Sequence, residues 1–331
     1  MSPPVPRAAV VLFAVCAALV ATAFPLLAYS TSLALFGLPH VLSELRYVDA
    51  RFGARFAPRF WWRLALPLAL VVALRALRLG NWVGDDVAVG GEVALVAVLV
   101  GLGVTGVVGK DVASVVGVVF AGVLGGFVVV DPLRALLLLA LTHNVTPFFF
   151  IVERAAAPAR PRVAALAAVV FFGVPALVAS GAVTAIVVDV VDLDRALFAT
   201  GPLYDHYRVY LLPEWREQLV AAQVFSAAVT AQLLHYGAVL VWLPRALTTA
   251  EVPRLPWPRG PWFVVAVVVV SAGLVAHFAI DFAGARAVYG LAAAVHAWIE
   301  LPLFVAAYSK QAPSWGPVSS ATTTSSTPPT T

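Results

Sequence analysis

The chain has 331 residues, 62% of them hydrophobic and only 11% charged, with a net charge of +4. Soluble domains carry roughly 25% charged residues, and no fold of this length hides so much apolar surface from water. The composition therefore excludes an ordinary soluble enzyme, a disordered protein and a nucleic-acid binder. It fits one all-α, polytopic integral membrane helical bundle over residues 1–308.

A membrane-crossing helix needs about 20 mostly apolar residues. Such runs lie near residues 8–29, 61–79, 91–109, 112–130, 133–152, 163–188, 219–243, 261–281 and 287–308, which predicts about nine transmembrane helices. Val-rich runs such as Val93 to Val100 suggest strand in water, but in lipid each segment has to satisfy its own backbone, and helix wins. In the first run, Arg7, the apolar stretch and Ala21-Thr22-Ala23 also resemble a signal peptide, although the apolar stretch continues past a normal cleavage point.

After the first run, Gly37-Leu38-Pro39 reads as a helix break, with Pro39 placed to start a new helix. The mixed arginine and aromatic stretch from His40 to Phe60 then reads as a half-inserted or interfacial helix. Residues 195–218, with Tyr204, His206, Tyr207, Tyr210 and Trp215, read as a long loop carrying a surface helix. Residues 309–331 are rich in Ser, Thr and Pro, a composition too polar to build a core and expected to be disordered.

Charge sets an orientation. Arg46, Arg51, Arg55, Arg59 and Arg63 follow the first run, Arg154, Arg160 and Arg162 the fifth, and Arg245, Arg254 and Arg259 the seventh. Asp85, Asp86 and Glu92, then Asp189, Asp192 and Asp194, fall on the other side. Arginine excess marks the cytoplasmic face, so nine crossings put the N-terminus outside the cell membrane and the C-terminus inside. The single cysteine, Cys16, allows neither an intrachain disulfide nor a cysteine metal site.

Six histidines are present. His206 belongs to the loop and reads as solvated or interfacial. His40, His143, His235, His277 and His296 lie in or at the edge of apolar runs, where ionisable groups are costly and functional by default. Three have an acid four residues later: His40 with Glu44, His277 with Asp281, and His296 with Glu300. That spacing sets both side chains on one helix face. Such a pair can bind one metal, or the acid can fix the imidazole tautomer while the other nitrogen binds. It can also simply join two helices.

By depth, His40, His143, His235 and His296 can converge as metal ligands, with Glu44 and Glu300 as the working carboxylates. His277 with Asp281 lies nearer the outer end and reads as a structural pair. Four neutral imidazoles with carboxylates suit non-haem Fe(II), with zinc and copper open.

Other features read as structure. Asp131, Arg134 and Glu153 sit at run ends and face the interface. Phe148, Phe149 and Phe150, and also Trp298, read as bundle packing or as the wall of an apolar pocket. Asn144-Val145-Thr146 matches a glycosylation sequon inside a span. Gly101-x-Gly103-x-x-Gly106 matches a dinucleotide fingerprint, but it lies in an apolar helix with no strand before it, where close helix packing accounts for it.

The stretch Gly37-Leu38-Pro39-His40-Val41-Leu42-Ser43-Glu44 resembles the opening signature of the bacteriorhodopsin-related (Brp/Blh-type) β-carotene dioxygenases, Gly-Leu/Ile-Pro-His-Gly-x-x-Asp. His40 matches the motif's histidine and Glu44 stands at its Asp, while Val41 replaces its Gly. The family's later His-Phe-Gly is absent, with Leu141-Thr142-His143-Asn144 as a loose stand-in. Its late histidine pair, three residues apart, is also missing; His235-Tyr236-Gly237 supplies one histidine in that region, with His296 as a second. The resemblance implies a polytopic membrane enzyme whose histidines, on several helices, hold a non-haem iron. It also implies central cleavage of β-carotene by O₂ to two retinals.

The expectation is thus a membrane-embedded iron oxygenase that takes O₂ and an apolar small-molecule substrate from the lipid bilayer. A transporter or proton relay built on the His–acid pairs, and a haem- or quinone-binding membrane subunit, are the competing readings.

Overall fold

The computed structural model describes residues 6–105, 112–218, 220–248 and 251–308, and among these there is no strand. The 309–331 tail and Gly106 of the glycine motif lie outside the described residues. The helices in order are α1 (Arg7–Ala23), α2 (Pro25–Phe52), α3 (Pro58–Leu79), α4 (Asp85–Thr105), α5 (Val112–Val130), α6 (Pro132–His143), α7 (Thr146–Arg154), α8 (Arg160–Ala168), α9 (Val174–Ala179), α10 (Ala182–Val187), α11 (Ala221–Gly237), α12 (Leu243–Ala246), α13 (Pro261–Ile280) and α14 (Phe282–Tyr308).

Wider π-helical turns join α8 to α9 and α11 to α12. Among the described residues, eight helices are long and apolar enough to cross a membrane, and α1 and the Val115–Val130 stretch are shorter apolar helices. This is the expected multi-pass all-α bundle.

Two expectations change at the N-terminus. Gly37-Leu38-Pro39 does not end a helix: α2 runs through it, with Pro39 inside. Pro39 offers no N–H to the preceding turn, and interior prolines are tolerated in membrane helices when neighbouring groups satisfy the freed carbonyls. The carbonyl that loses its donor is that of Leu35; one residue further on, the Phe36 carbonyl lies 3.0 Å from His40 Nδ1. The segment from His40 is therefore core, not an interfacial helix. The break falls at Phe24, just before Pro25.

α1 is consequently a separate arm that runs against α11. Val10 packs with Leu234 and Ala238, and Ala21 joins the cluster of Ala221 and Phe225. The Ala23 carbonyl accepts from Asp192 N at 2.8 Å. Arg7 and the C-terminal end of α14 thus lie at the same, arginine-rich end of the bundle, whereas nine crossings set the termini on opposite sides.

That end is tied shut. Arg51 on α2 pairs with Glu153 on α7 at 2.6 Å and with Glu251, which also pairs with Arg154 at 2.8 Å. Asp49 Oδ2 accepts from Leu255 N and from Trp257 Nε1 at 2.8 and 3.0 Å. Glu153 therefore lies in a buried ion network, not facing the interface. At the other end Asp131 caps α6 through Arg134 N at 2.9 Å, and the Arg134 guanidinium reaches Glu214 at 2.8 Å.

Lipid gives helices no hydrophobic reason to associate, so close approach decides packing. A Cβ on Gly103 would stand 2.7 Å from the Pro302 backbone. This is the close α4–α14 contact expected of the glycine motif. The outer faces are apolar: Val115, Val116, Val118 and Val119 on α5 and Val268, Val269 and Val270 on α13 are all more than half exposed. So large an apolar surface calls for lipid.

Candidate metal centre

Four helices deliver the site. α2 brings His40 and Glu44 one turn apart on one face. α6 ends on His143, and the span breaks there at Asn144 and Val145 before α7 resumes. α11 brings His235, directly before the π-helical turn at Ala238–Trp242. Such turns and mid-span breaks gather at functional sites. α14 brings His296 and Glu300, again one turn apart.

The structure gathers His40, Glu44, His143, His235 and His296, with one ligand atom from each lying within 4.8 Å of all the others. His40, Glu44, His235, His296 and Glu300 are at most 2% exposed. His40 Nε2 is 3.1 Å and His143 Nε2 3.0 Å from His296 Nε2. His235 Nε2 is 3.2 Å from Glu44 Oε2, which is 3.9 Å from His296 Nε2. Glu300 Oε2 is 2.9 Å from His143 Nδ1.

One tautomer follows from these partners. His40 carries its proton on Nδ1 and donates to the Phe36 carbonyl. His143 Nδ1 and Glu300 Oε2 share a hydrogen bond at 2.9 Å. The Nε2 atoms of both His40 and His143 face His296 Nε2, so three imidazole nitrogens meet at one point, where a bound electrophile would be held by their lone pairs. Glu44 Oε1, His235 Nδ1 and Glu300 Oε1 are buried with no hydrogen-bond partner in the protein. Nitrogen and carboxylate donors in this mixture suit a divalent first-row metal, so these residues fit such an ion.

A cavity of about 230 Å³ opens against the cluster, touching His40, His143 and His296. Its walls include Tyr236, Tyr289, Tyr210 and Trp298. Tyr236 stacks on His40 with ring centroids 4.1 Å apart. Glu92, read from sequence as a loop charge, is 3% exposed and holds this wall together. It binds Arg75 at 2.6 and 2.9 Å and accepts from Trp298 Nε1 at 2.7 Å. Arg75 also donates to the Gly290 carbonyl at 2.5 Å.

Phe148, Phe149 and Phe150 are packing residues outside this wall, and Phe150 sits in the main core. Asn144 of the sequon is buried at the helix break and borders the cavity. His277 stays outside the cluster, and Asp281 caps α14 by accepting from Gly284 N at 2.9 Å.

His206 is not solvated. It is 3% exposed, its Nε2 donates to the Thr200 carbonyl at 2.9 Å, and its bare Nδ1 faces Arg286 Nη1 at 3.2 Å. Burial holds this imidazole below its ordinary pKa, so it remains the neutral acceptor that Arg286 requires.

Sequence reasoning passed over Arg75, Arg286, Tyr29 and Tyr289. The two arginines carried a signal, since charges within apolar helices are functional by default.

No protein-family model, curated protein or solved structure matches the chain.

Proposed function

We propose that this chain is a membrane-embedded non-haem iron oxygenase acting on a lipid-soluble substrate, with central cleavage of a carotenoid as the candidate reaction. The observation that carries it is the convergence of four imidazoles and Glu44 beside a cavity walled by aromatic side chains. His40, His143, His235 and His296 would hold the ion, with Glu44 as a fifth donor. Iron supplies the redox chemistry with O₂ when bound.

The chain's own residues do the rest. Glu300 fixes the His143 ring with Nε2 facing inward. Phe36 does the same for His40. Tyr236 and Trp298 shape the apolar wall against which a substrate lies, and the buried surroundings exclude water. The excess of arginine at one end supports a cytoplasmic placement of that end, with the cavity opening toward the opposite face.

The haem reading is disfavoured by the ring spacing: Nε2 atoms 3.0 and 3.1 Å apart leave no slot for a macrocycle.

Purified protein should hold about one iron per chain, show no haem absorbance, and turn over β-carotene to retinal in a bacterium engineered to make that pigment. Protein that binds no metal after reconstitution with Fe(II) overturns the assignment. Iron binding without retinal retires the carotenoid and keeps the oxygenase.

A further inference from the structure

Arg286 lies on α14, three turns on the loop side of His296. It borders the 230 Å³ cavity, and it also lines a second cavity of about 450 Å³ at the loop end, with Thr200, Tyr204, His206 and Arg216. It is thus shared by the inner chamber and an outer vestibule. Its Nη1 faces His206 Nδ1 at 3.2 Å and Tyr29 Oη at 3.5 Å. Both partners are neutral, and among the described residues no carboxylate lies within ion-pair distance of it.

The contrast with the other arginines of the bundle interior is direct. Arg75 is matched by Glu92, Arg51 by Glu153 and Glu251, and Arg154 by Glu251. A guanidinium inside an apolar helix is costly, and its fork of donors fits a carboxylate or phosphate better than any neutral group. In the vestibule Arg208 and Arg216 are balanced by Asp205 and Asp281, so the charge in excess there is that of Arg286. Beyond Arg286 the walls are mostly aromatic and apolar up to the histidines, interrupted by Asn144, Gln232 and the Glu92-paired Arg75.

We infer that Arg286 is the recognition site for the anionic headgroup of an amphipathic substrate, whose apolar chain extends along the inner cavity toward the histidine cluster. This rests on reading the inner cavity as the substrate chamber of the oxygenase, and it gives that chamber an amphipathic lipid in place of a carotenoid hydrocarbon. The shared chemistry is a carboxylate or phosphate on a hydrocarbon chain. The neutral His206 and Tyr29 Oη hold the guanidinium in place without neutralising it.

The test is binding of radiolabelled decanoate, decyl phosphate and neutral decanamide to the full chain in non-ionic detergent, with metal content measured on the same samples. Wild type should favour at least one anion over the amide by about tenfold or more, as a charge-assisted bond predicts; which anion gains more names the headgroup. Arg286→Gln should bring the ratio to within about twofold. Arg286→Lys, which keeps the charge without the fork, should retain part of it and serves if the Gln variant does not fold. Arg208→Gln, out in the vestibule, should leave the ratio unchanged.

Equal affinity for anion and amide in wild type overturns the proposal. So does a preference that survives in Arg286→Gln, or one lost equally in Arg208→Gln. The two readings separate cleanly. Anion preference that tracks Arg286 in protein holding no metal keeps the anion site and removes the oxygenase. Metal-loaded protein without anion preference does the reverse.

Discussion

α13 and the span Ala221–Ala246, built from α11 and α12, are both membrane-length segments, yet they use apolar residues in opposite ways. α13 is the more hydrophobic, with a mean hydropathy of 2.6 against 1.6, but only 17% of it is buried inside the bundle against 72% for Ala221–Ala246. In water the greasier helix would be the core. In lipid it is the wall, and the core goes to the helix that carries Ser226, Thr230, Gln232 and His235, all buried. Polar content, not hydropathy, marks the inside of this molecule, because only the interior can satisfy such groups.

Substitutions graded by effect sharpen that contrast. His296→Ala should be the most severe, since His296 Nε2 is the atom that both His40 and His143 face: iron should fall from about one per chain to near zero by elemental analysis. Glu92→Leu should come next. It leaves Arg75 without its carboxylate and Trp298 without its acceptor, a loss of about 3 kcal/mol in detergent unfolding, at the low end for a broken buried pair because Arg75 borders a cavity. Glu300→Gln should weaken iron binding about tenfold in chelator competition, the smaller loss typical of a residue that only orients a ligand.

Two glycines then set inside against outside. Gly103→Ala, with its new methyl at 2.7 Å from the Pro302 backbone, should destabilise by about 1–3 kcal/mol. Gly273→Ala on α13 meets nothing within 4 Å and should be neutral or stabilise by about 0.5 kcal/mol, the helix-propensity gain. If Gly273→Ala proved as damaging as Gly103→Ala, the division into wall and core would be wrong.

Much of the centre was legible in the sequence because its signals are local. His40 with Glu44, and His296 with Glu300, announce themselves by a four-residue spacing within apolar runs. His143 and His235 follow from depth. The rest depends on which helices meet. Glu92 looked like a loop charge because nothing near it in the chain reveals Arg75 or Trp298. Arg286 was passed over because its partner, His206, comes from a loop 80 residues away. Pro39 misled for another reason: it ends helices in water, whereas here α2 continues and the Phe36 carbonyl finds the His40 side chain. Reading the first run as one crossing merged α1 with the start of α2, because the break at Phe24 lies inside a continuous apolar stretch.

The donors that converge come from both halves of the chain, with His40 and His296 in contact across 256 positions. During synthesis, a ribosome that has delivered α2, α6 and α11 has still made only part of a cage. α14, the last helix among the described residues, supplies the imidazole on which the others centre. On the proposed reading, ion capture waits for α14, and the energy it released would act as a closing staple on the bundle. A nascent chain arrested before α14 would reach the membrane able to insert but unable to mature.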